Sequence, residues 1–304
     1  MAAAQGLTPM RGRWLLNLAL LALVAVLAAL AWWPQRRGAE PPAPPLAAVQ
    51  RDAVRRIEIV RGDDTLLVER DEGGRWWLAG TPRLPADGAK VESVLGLAAT
   101  PSEQRYPVAD LDLTQFGLDP PRVTLRLGEA ELALGDAEPI SGRRYIRVGD
   151  TLHLVSTGVF ATLTAGRDAW ISPQLVPEGA ELEAVRLPDG VTVRRTDGGW
   201  AREPQAEGVG EAALADFADG WRLARAFEAG MDADPPPAGE VVTLVLEGLG
   251  ERRFVIVQRE PELVLRRLDL PVRYRFTRFT AERLLAPPKG EAAGGKASEG
   301  RESG

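Results

Sequence analysis

The chain has no cysteine, a single histidine (His153) and three lysines among its 304 residues. Without cysteine there are no disulfides, thiolate metal sites, iron–sulfur clusters or cysteine nucleophiles. One histidine rules out multi-histidine metal centres and leaves one imidazole for acid–base work. A net charge of -6 means the chain is not basic overall, so nucleic-acid binding is not expected. No Walker lysine motif is present. The glycine pattern Gly208-Val209-Gly210-Glu211-Ala212-Ala213 comes after Arg202-Glu203-Pro204-Gln205 where a dinucleotide fold needs a hydrophobic strand, so nucleotide binding is not expected. What is present is 45% hydrophobic residues, enough for real cores, and a length that suits two ordinary domains.

One uncharged run, WLLNLALLALVAVLAALAWW over residues 14–33, has the roughly 30 Å helical length that fits a bilayer core. Trp14, Trp32 and Trp33 sit where an aromatic belt belongs. The alternative, a cleaved signal peptide with Ala29 and Ala31 at its cleavage site, is disfavoured by the bulky Trp32-Trp33 next to it and by the length of the run. Residues 1–13 carry Arg11 and Arg13 and no acid, which favours an N-terminus on the cytoplasmic side and the bulk of the chain in the periplasm. Arg11, Arg13, Arg36 and Arg37 are the charged residues before Gly38, so the remainder holds 33 basic against 43 acidic groups, a net charge of -10. The Pro-rich stretch in 34–50 predicts a semi-rigid, polyproline-like stalk.

Beyond the stalk the sequence repeats itself. VRRIEIV (54–60) and TLLVER (65–70) flank the turn Gly62-Asp63-Asp64, and Gly73-Gly74-Arg75-Trp76 comes next. LEAVRL (182–187) and VTVRR (191–195) flank Pro188-Asp189-Gly190, and Gly198-Gly199-Trp200 comes next, with Trp200 lying 124 positions after Trp76. In each half an amphipathic helix is then expected, over 90–99 and 211–227, and after it a Pro-bearing loop, Phe116-Gly117-Leu118-Asp119-Pro120-Pro121 or Met231-Asp232-Ala233-Asp234-Pro235-Pro236. Four short strands and a closing helix complete each copy. The expected fold is therefore α+β: an N-terminal single transmembrane helix, then two tandem β-β-β-α-β-β-β-β-α modules, 51–168 and 169–286, with mostly antiparallel sheets. Residues 287–304, rich in Gly, Glu and Ser, are expected to be disordered.

The I-x-I and T-L-L-V-E-R strands, the G-x-W that closes them, Phe116 to Pro121, Leu134-Gly135 and Tyr145-Ile146-Arg147 resemble the domain-of-unknown-function family 4340. The resemblance covers 54–163 well and the second copy more loosely, where Gly230-Met231-Asp232-Ala233 replaces the aromatic-Gly-Leu before Asp-Pro-Pro. It implies a membrane-anchored envelope component found beside ABC-type exporters and gliding-motility-like auxiliary proteins. It carries no catalytic residues across.

Candidate sites are sparse. His153, in TLHLV, alternates with Leu152 and Leu154 and reads as a surface or hydrogen-bonded strand residue; a nucleophilic role would need Ser156 or Ser141 and an orienting carboxylate. Asp110-Leu111-Asp112 and Asp232-Ala233-Asp234 have the spacing of a two-carboxylate metal site and read as turn chemistry. Trp76 and Trp77 are adjacent, so a strand sends them to opposite faces, one to the core and one to a contact surface. Arg273 and Arg275, with Arg266 beside them, are expected to face away from Tyr274 and Phe276 and form a basic strand face, which reads first as a solvated row and otherwise as a surface for an anionic polymer or acidic partner. No catalytic, cofactor or metal residues are assigned. The expected function is a non-enzymatic, extracytoplasmic accessory or scaffold subunit of a membrane transport complex of ABC type, partnered by a permease and auxiliary subunits. The alternative is an envelope polymer- or lipid-binding module that uses the Arg-bearing face.

Overall fold

Alternating apolar residues build most of the molecule. The computed structural model describes residues 20–28, 43–102 and 104–289. In β1 (Arg56–Arg61) Ile57 and Ile59 are fully buried, and in β2 (Asp64–Arg70) Leu66 and Val68 join them on the same face. β3 (Trp76–Leu78) and β4 (Leu84–Pro85) extend this meander. The chain then forms α1 (Gly88–Ala98), whose Val91, Val94, Leu95 and Ala98 stripe is buried, and returns as β5 (Gln104–Pro107). β6 (Val123–Leu127), β7 (Ala130–Ala137), β8 (Arg144–Val148) and β9 (Thr151–Val155) come next, with the five-residue α2 (Phe160–Thr164) behind them. The nine strands form one sheet in the order β4-β3-β2-β1-β6-β7-β8-β9-β5, and every pairing is antiparallel.

The second half runs through the same sequence of elements: β10 (Leu182–Arg186), β11 (Thr192–Thr196), β12 (Gly199–Glu203), α3 (Glu211–Arg222), β13 (Glu228–Met231), β14 (Val241–Leu246), β15 (Gly250–Gln258), β16 (Leu263–Arg267), β17 (Val272–Phe276) and α4 (Arg278–Leu285). Its eight-stranded sheet has the order β12-β11-β10-β14-β15-β16-β17-β13, which is the first sheet's order without a counterpart of β4.

The expected α+β class is corrected by this architecture. The protein is mostly β, two large antiparallel sheets with a few short helices. Each module carries a strand after its helix, β5 or β13, that the β-β-β-α-β-β-β-β-α scheme omits. The reason is local: Gln-Arg-Tyr-Pro and Glu-Ala-Gly-Met show no alternation, and these strands are recruited at sheet edges by β9 and β17. The helix expected over 211–227 stops at Arg222, and 224–227 leaves it toward β13. The expected transmembrane helix over 14–33 is not part of the described fold: residues 20–28 are helical, and among the described residues no helix is long and apolar enough to cross a membrane. The rest of 14–33, the tail 1–13, the start of the stalk and residues 290–304 lie outside the described residues.

The connector between the sheets ties them together. After α2 a 3-10 turn (Arg167–Trp170) buries Trp170 completely, and Ile171, Leu175 and Val176 are buried behind it. Toward the first sheet, Ile171 bridges Ala86, Asp87 donates its N–H to the Trp170 carbonyl at 2.8 Å, and the Ser172 N–H reaches the Pro85 carbonyl at 2.8 Å. Toward the second, Gln174 bridges Arg225, and the Ala226 N–H reaches the Pro173 carbonyl at 2.8 Å. The connector thus covers the β4 edge of one sheet and the approach to the β13 edge of the other, which leaves fewer open strand edges. Its apolar side chains join the two halves into one continuous core that runs from Leu46 to Leu284.

Candidate functional site

The turn before β3 is built around Asp71. Its carboxylate accepts the Arg75 N–H at 2.8 Å and the Trp77 indole N–H at 2.9 Å, with Arg75 Nε at 3.3 Å. Burial raises the Asp71 pKa, but these donors outweigh it and hold the carboxyl below its usual range. Arg70 stacks on the Trp76 ring and Arg83 on the Trp77 ring. Trp76 also packs against the core, as Trp200 does at the same place in the second copy. Both Trp76 and Trp77 stay half-buried and border one cleft of about 270 Å³.

That cleft lies on the seam. One wall is Gly73 to Trp77 with Pro85 to Gly88, a second is the connector at Ser172, Gln174 and Glu178, and the third is Arg252 from β15. The Asp87 side chain, almost fully buried beside it, accepts from the Ala89 N–H at 3.2 Å as the cap of α1. The same carboxylate accepts from Arg225 of the second module at 3.1 and 3.2 Å, so one buried acid fixes the helix start and the seam together.

Arg252 is the residue that reading the sequence missed. It lies in the run Gly-Glu-Arg-Arg at the start of β15 and looks like a solvated turn. In the sheet it stands directly opposite the buried Leu244 and so points inward. The equivalent pair in the first copy is Leu125 opposite Leu132, both fully buried. One copy therefore has a core leucine where the other has a guanidinium. The missed signal is the alternation back from buried Phe254, read against the first copy. Arg252 donates to the Leu175 carbonyl at 3.2 Å and has no carboxylate within ion-pair distance among the described residues. Burial, with Arg267 and Arg75 nearby, pushes its pKa down to about 10. Its neighbour Arg267 takes a two-pronged pair with Asp269, 2.7 Å in each contact.

Apart from Trp76 and Trp77, none of the predicted site residues lines this cleft. Arg275 does point away from Tyr274, but it is held by Glu262 at 2.6 and 3.0 Å and by Glu228 at 3.1 Å, over the Phe227 ring. Arg266 is buried and donates to the backbone carbonyls of Asp232, Asp234, Arg267 and Leu270. It stitches down the loop that carries Asp234, Pro235 and Pro236. Arg273 is half-exposed, with no ion pair among the described residues. Neither D-x-D pair gathers further ligands: no group of three metal-ligating side chains occurs among the described residues. Asp112 instead caps a 3-10 turn (Leu113–Phe116), accepting from Thr114 and Gln115. His153 is buried, with Nδ1 2.9 Å from the Ser102 hydroxyl; Ser102, not Ser156 or Ser141, is its partner. Burial, with Arg105 nearby, lowers its pKa.

The Phe116 to Pro121 loop has a packing role. Gly117 turns left-handed (φ 63°), and Leu118 drops into a small satellite core with Ala133 and Leu152, flanked by Phe116 and Tyr145, whose rings meet edge-on at 4.8 Å. A Cβ on Gly135 would stand 2.1 Å from the Phe116 carbonyl oxygen, so Leu134-Gly135 is small because the loop lies on it.

A family model described as a domain of unknown function (DUF4340) matches residues 76–229, half of the chain. The match starts at Trp76, takes in the Phe116 loop, Gly135 and the connector, and ends in β13, so it straddles the two modules instead of coinciding with the first. No curated protein and no solved structure matches the chain. The chain belongs to the DUF4340 family, proteins that share a domain of unknown function.

Proposed function

We propose that this protein is a non-enzymatic binding subunit, held at the inner membrane through residues 14–33 with its bulk in the periplasm, that docks onto a membrane transport complex of ABC type. The observation that carries this reading is the seam: two copies of one sheet are fused through a shared core, and the cleft lies where they meet. The divergence between copies, Leu132 against Arg252, falls at that cleft. A duplicated module that has specialised at its junction suits recognition by a rigid body. The apolar run and the Pro-rich stretch support the tethered part of the reading, since a tether raises the local concentration of a partner in the same membrane. The transport partner itself rests on the family resemblance.

The basic strand face gives weaker support to a polymer- or lipid-binding role. Arg275 is neutralised by two glutamates and Arg266 is buried in backbone contacts, so Arg273 is left as the residue free to meet an anion.

Affinity purification of the full-length protein from native membranes in mild detergent, with mass spectrometry of the co-purifying proteins, tests the proposal. Stoichiometric recovery of a permease and its ATPase is the expected result, weakened when residues 1–37 are deleted. Recovery of the protein alone contradicts it.

A further inference from the structure

We propose that the cleft between the two modules binds a carboxylate attached to a small apolar group, with Arg252 as the anchor. The proposal rests on the reading of the chain as a binding subunit and adds the chemistry of what is bound.

Removing a guanidinium from water is costly unless hydrogen bonds and a counter-charge replace the lost solvation. Arg252 is half-buried and turned inward opposite Leu244, yet among the described residues a single carbonyl, that of Leu175, is its hydrogen-bond partner. The two arginines that are buried more deeply are matched: Arg267 by Asp269, Arg266 by four carbonyls and the Asp232 carboxylate. Arg252 has no such counter-charge among the described residues, and it lines the cleft. A leucine at the same register position of the first copy is fully buried, so the sheet itself does not require a cation there.

The rest of the cleft narrows the ligand. A guanidinium takes a carboxylate or a phosphate with two parallel hydrogen bonds. Glu178 on the rim, and a net charge of -10 after residue 37, oppose a doubly charged phosphate and favour a single negative charge. Trp76 and Trp77 supply apolar wall for the body of the ligand, and a volume of about 270 Å³ has room for a small body such as a leucine-sized group. Two sources share this chemistry: a free carboxylate at the end of a small molecule or chain, and an acidic side chain between apolar residues in a partner protein.

The test is calorimetric titration of the full-length protein in detergent with N-acetyl-leucine and, separately, with the capped peptide acetyl-Ala-Leu-Glu-Leu-Ala-amide. The uncharged controls are N-acetyl-leucinamide and the same peptide with Gln in place of Glu. At least one acid is expected to bind about tenfold or more tightly than its control, a difference of about 1.4 kcal/mol. The acid that binds better identifies the source. Arg252→Met is expected to abolish this preference and to melt no lower than the parent, while Arg253→Gln, on the exposed opposite face of β15, leaves binding unchanged. Equal binding of acid and control, absence of saturable binding by either acid, or an Arg252→Met variant that keeps the preference overturns the proposal. A clear fall in melting temperature for Arg252→Met also overturns it, because Arg252 then serves to clip the connector through Leu175. These outcomes are independent of the membrane purification: a failed recovery of transport subunits leaves acid discrimination intact, and failed discrimination leaves any recovered partner standing.

Discussion

At the scale of single residues, four buried polar side chains of this protein are matched, and the half-buried Arg252 lacks a counter-charge among the described residues. Asp87, Arg266, Arg267 and His153 each find partners, and each fixes a piece of chain: a helix start, a loop, a strand end, a β9–Ser102 contact. His153 gives a pH signature. Its folded pKa lies below the usual 6.5 because burial penalises the imidazolium, so the unfolded chain binds the proton first as pH falls. The stability this contributes is complete above about pH 6.5 and is lost as pH drops from there toward the folded pKa. Thermal melts of the parent and His153→Asn from about pH 8 to pH 5 should therefore converge toward the acid end, with the parent losing more. Parallel curves would show that the imidazole takes up its proton equally in the folded and unfolded states. Arg252 has one carbonyl partner and no counter-charge among the described residues, and its exposure to the cleft is what makes it informative.

At the scale of elements, the hairpin strands and the two helix stripes were legible because alternation and the 3.6-residue period carry them directly: Ile57 and Ile59, Leu66 and Val68, Leu214, Phe217 and Trp221 are buried as their spacing requires. Recurrence of the turn glycines with Trp76 and Trp200 also showed the duplication, and the two sheets share one strand order. Three things were not legible. β5 and β13 have no pattern of their own and exist because β9 and β17 offer them an edge. The class was misjudged as α+β because the helices are conspicuous in sequence and short in space. In the candidate site, adjacency sent Trp76 and Trp77 to opposite faces, one core and one contact, whereas both are half-buried and border the cleft; Arg252 was not singled out, since its inward position shows only when alternation is read back from Phe254 or through register with Leu244. The connector is a further element without a sequence signature, and it bears most of the seam. Trp170, fully buried within it, should cost about 3–5 kcal/mol when replaced by alanine, read by chemical denaturation of the full-length protein. A loss below about 1 kcal/mol would mean that the seam is held by its backbone bridges and by the Asp87–Arg225 pair.

At the scale of the whole molecule, the two sheets form one body. The core is continuous across the seam, the connector bonds to both sheet edges, and the cleft exists because the halves keep a fixed relation. Such fusion makes the cleft a preorganised site, which lowers the ordering cost of binding. It also explains why the family match runs from β3 to β13: the shared pattern includes the junction as well as parts of both copies. Loosening the seam is expected to damage the cleft before it damages either sheet. Differential scanning calorimetry of the full-length protein in detergent tests this most directly. A single unfolding transition, with calorimetric and van't Hoff enthalpies in agreement, is the result expected of one fused body. Two separated transitions, one for each sheet, would contradict it and reduce the cleft to a chance contact between independent domains.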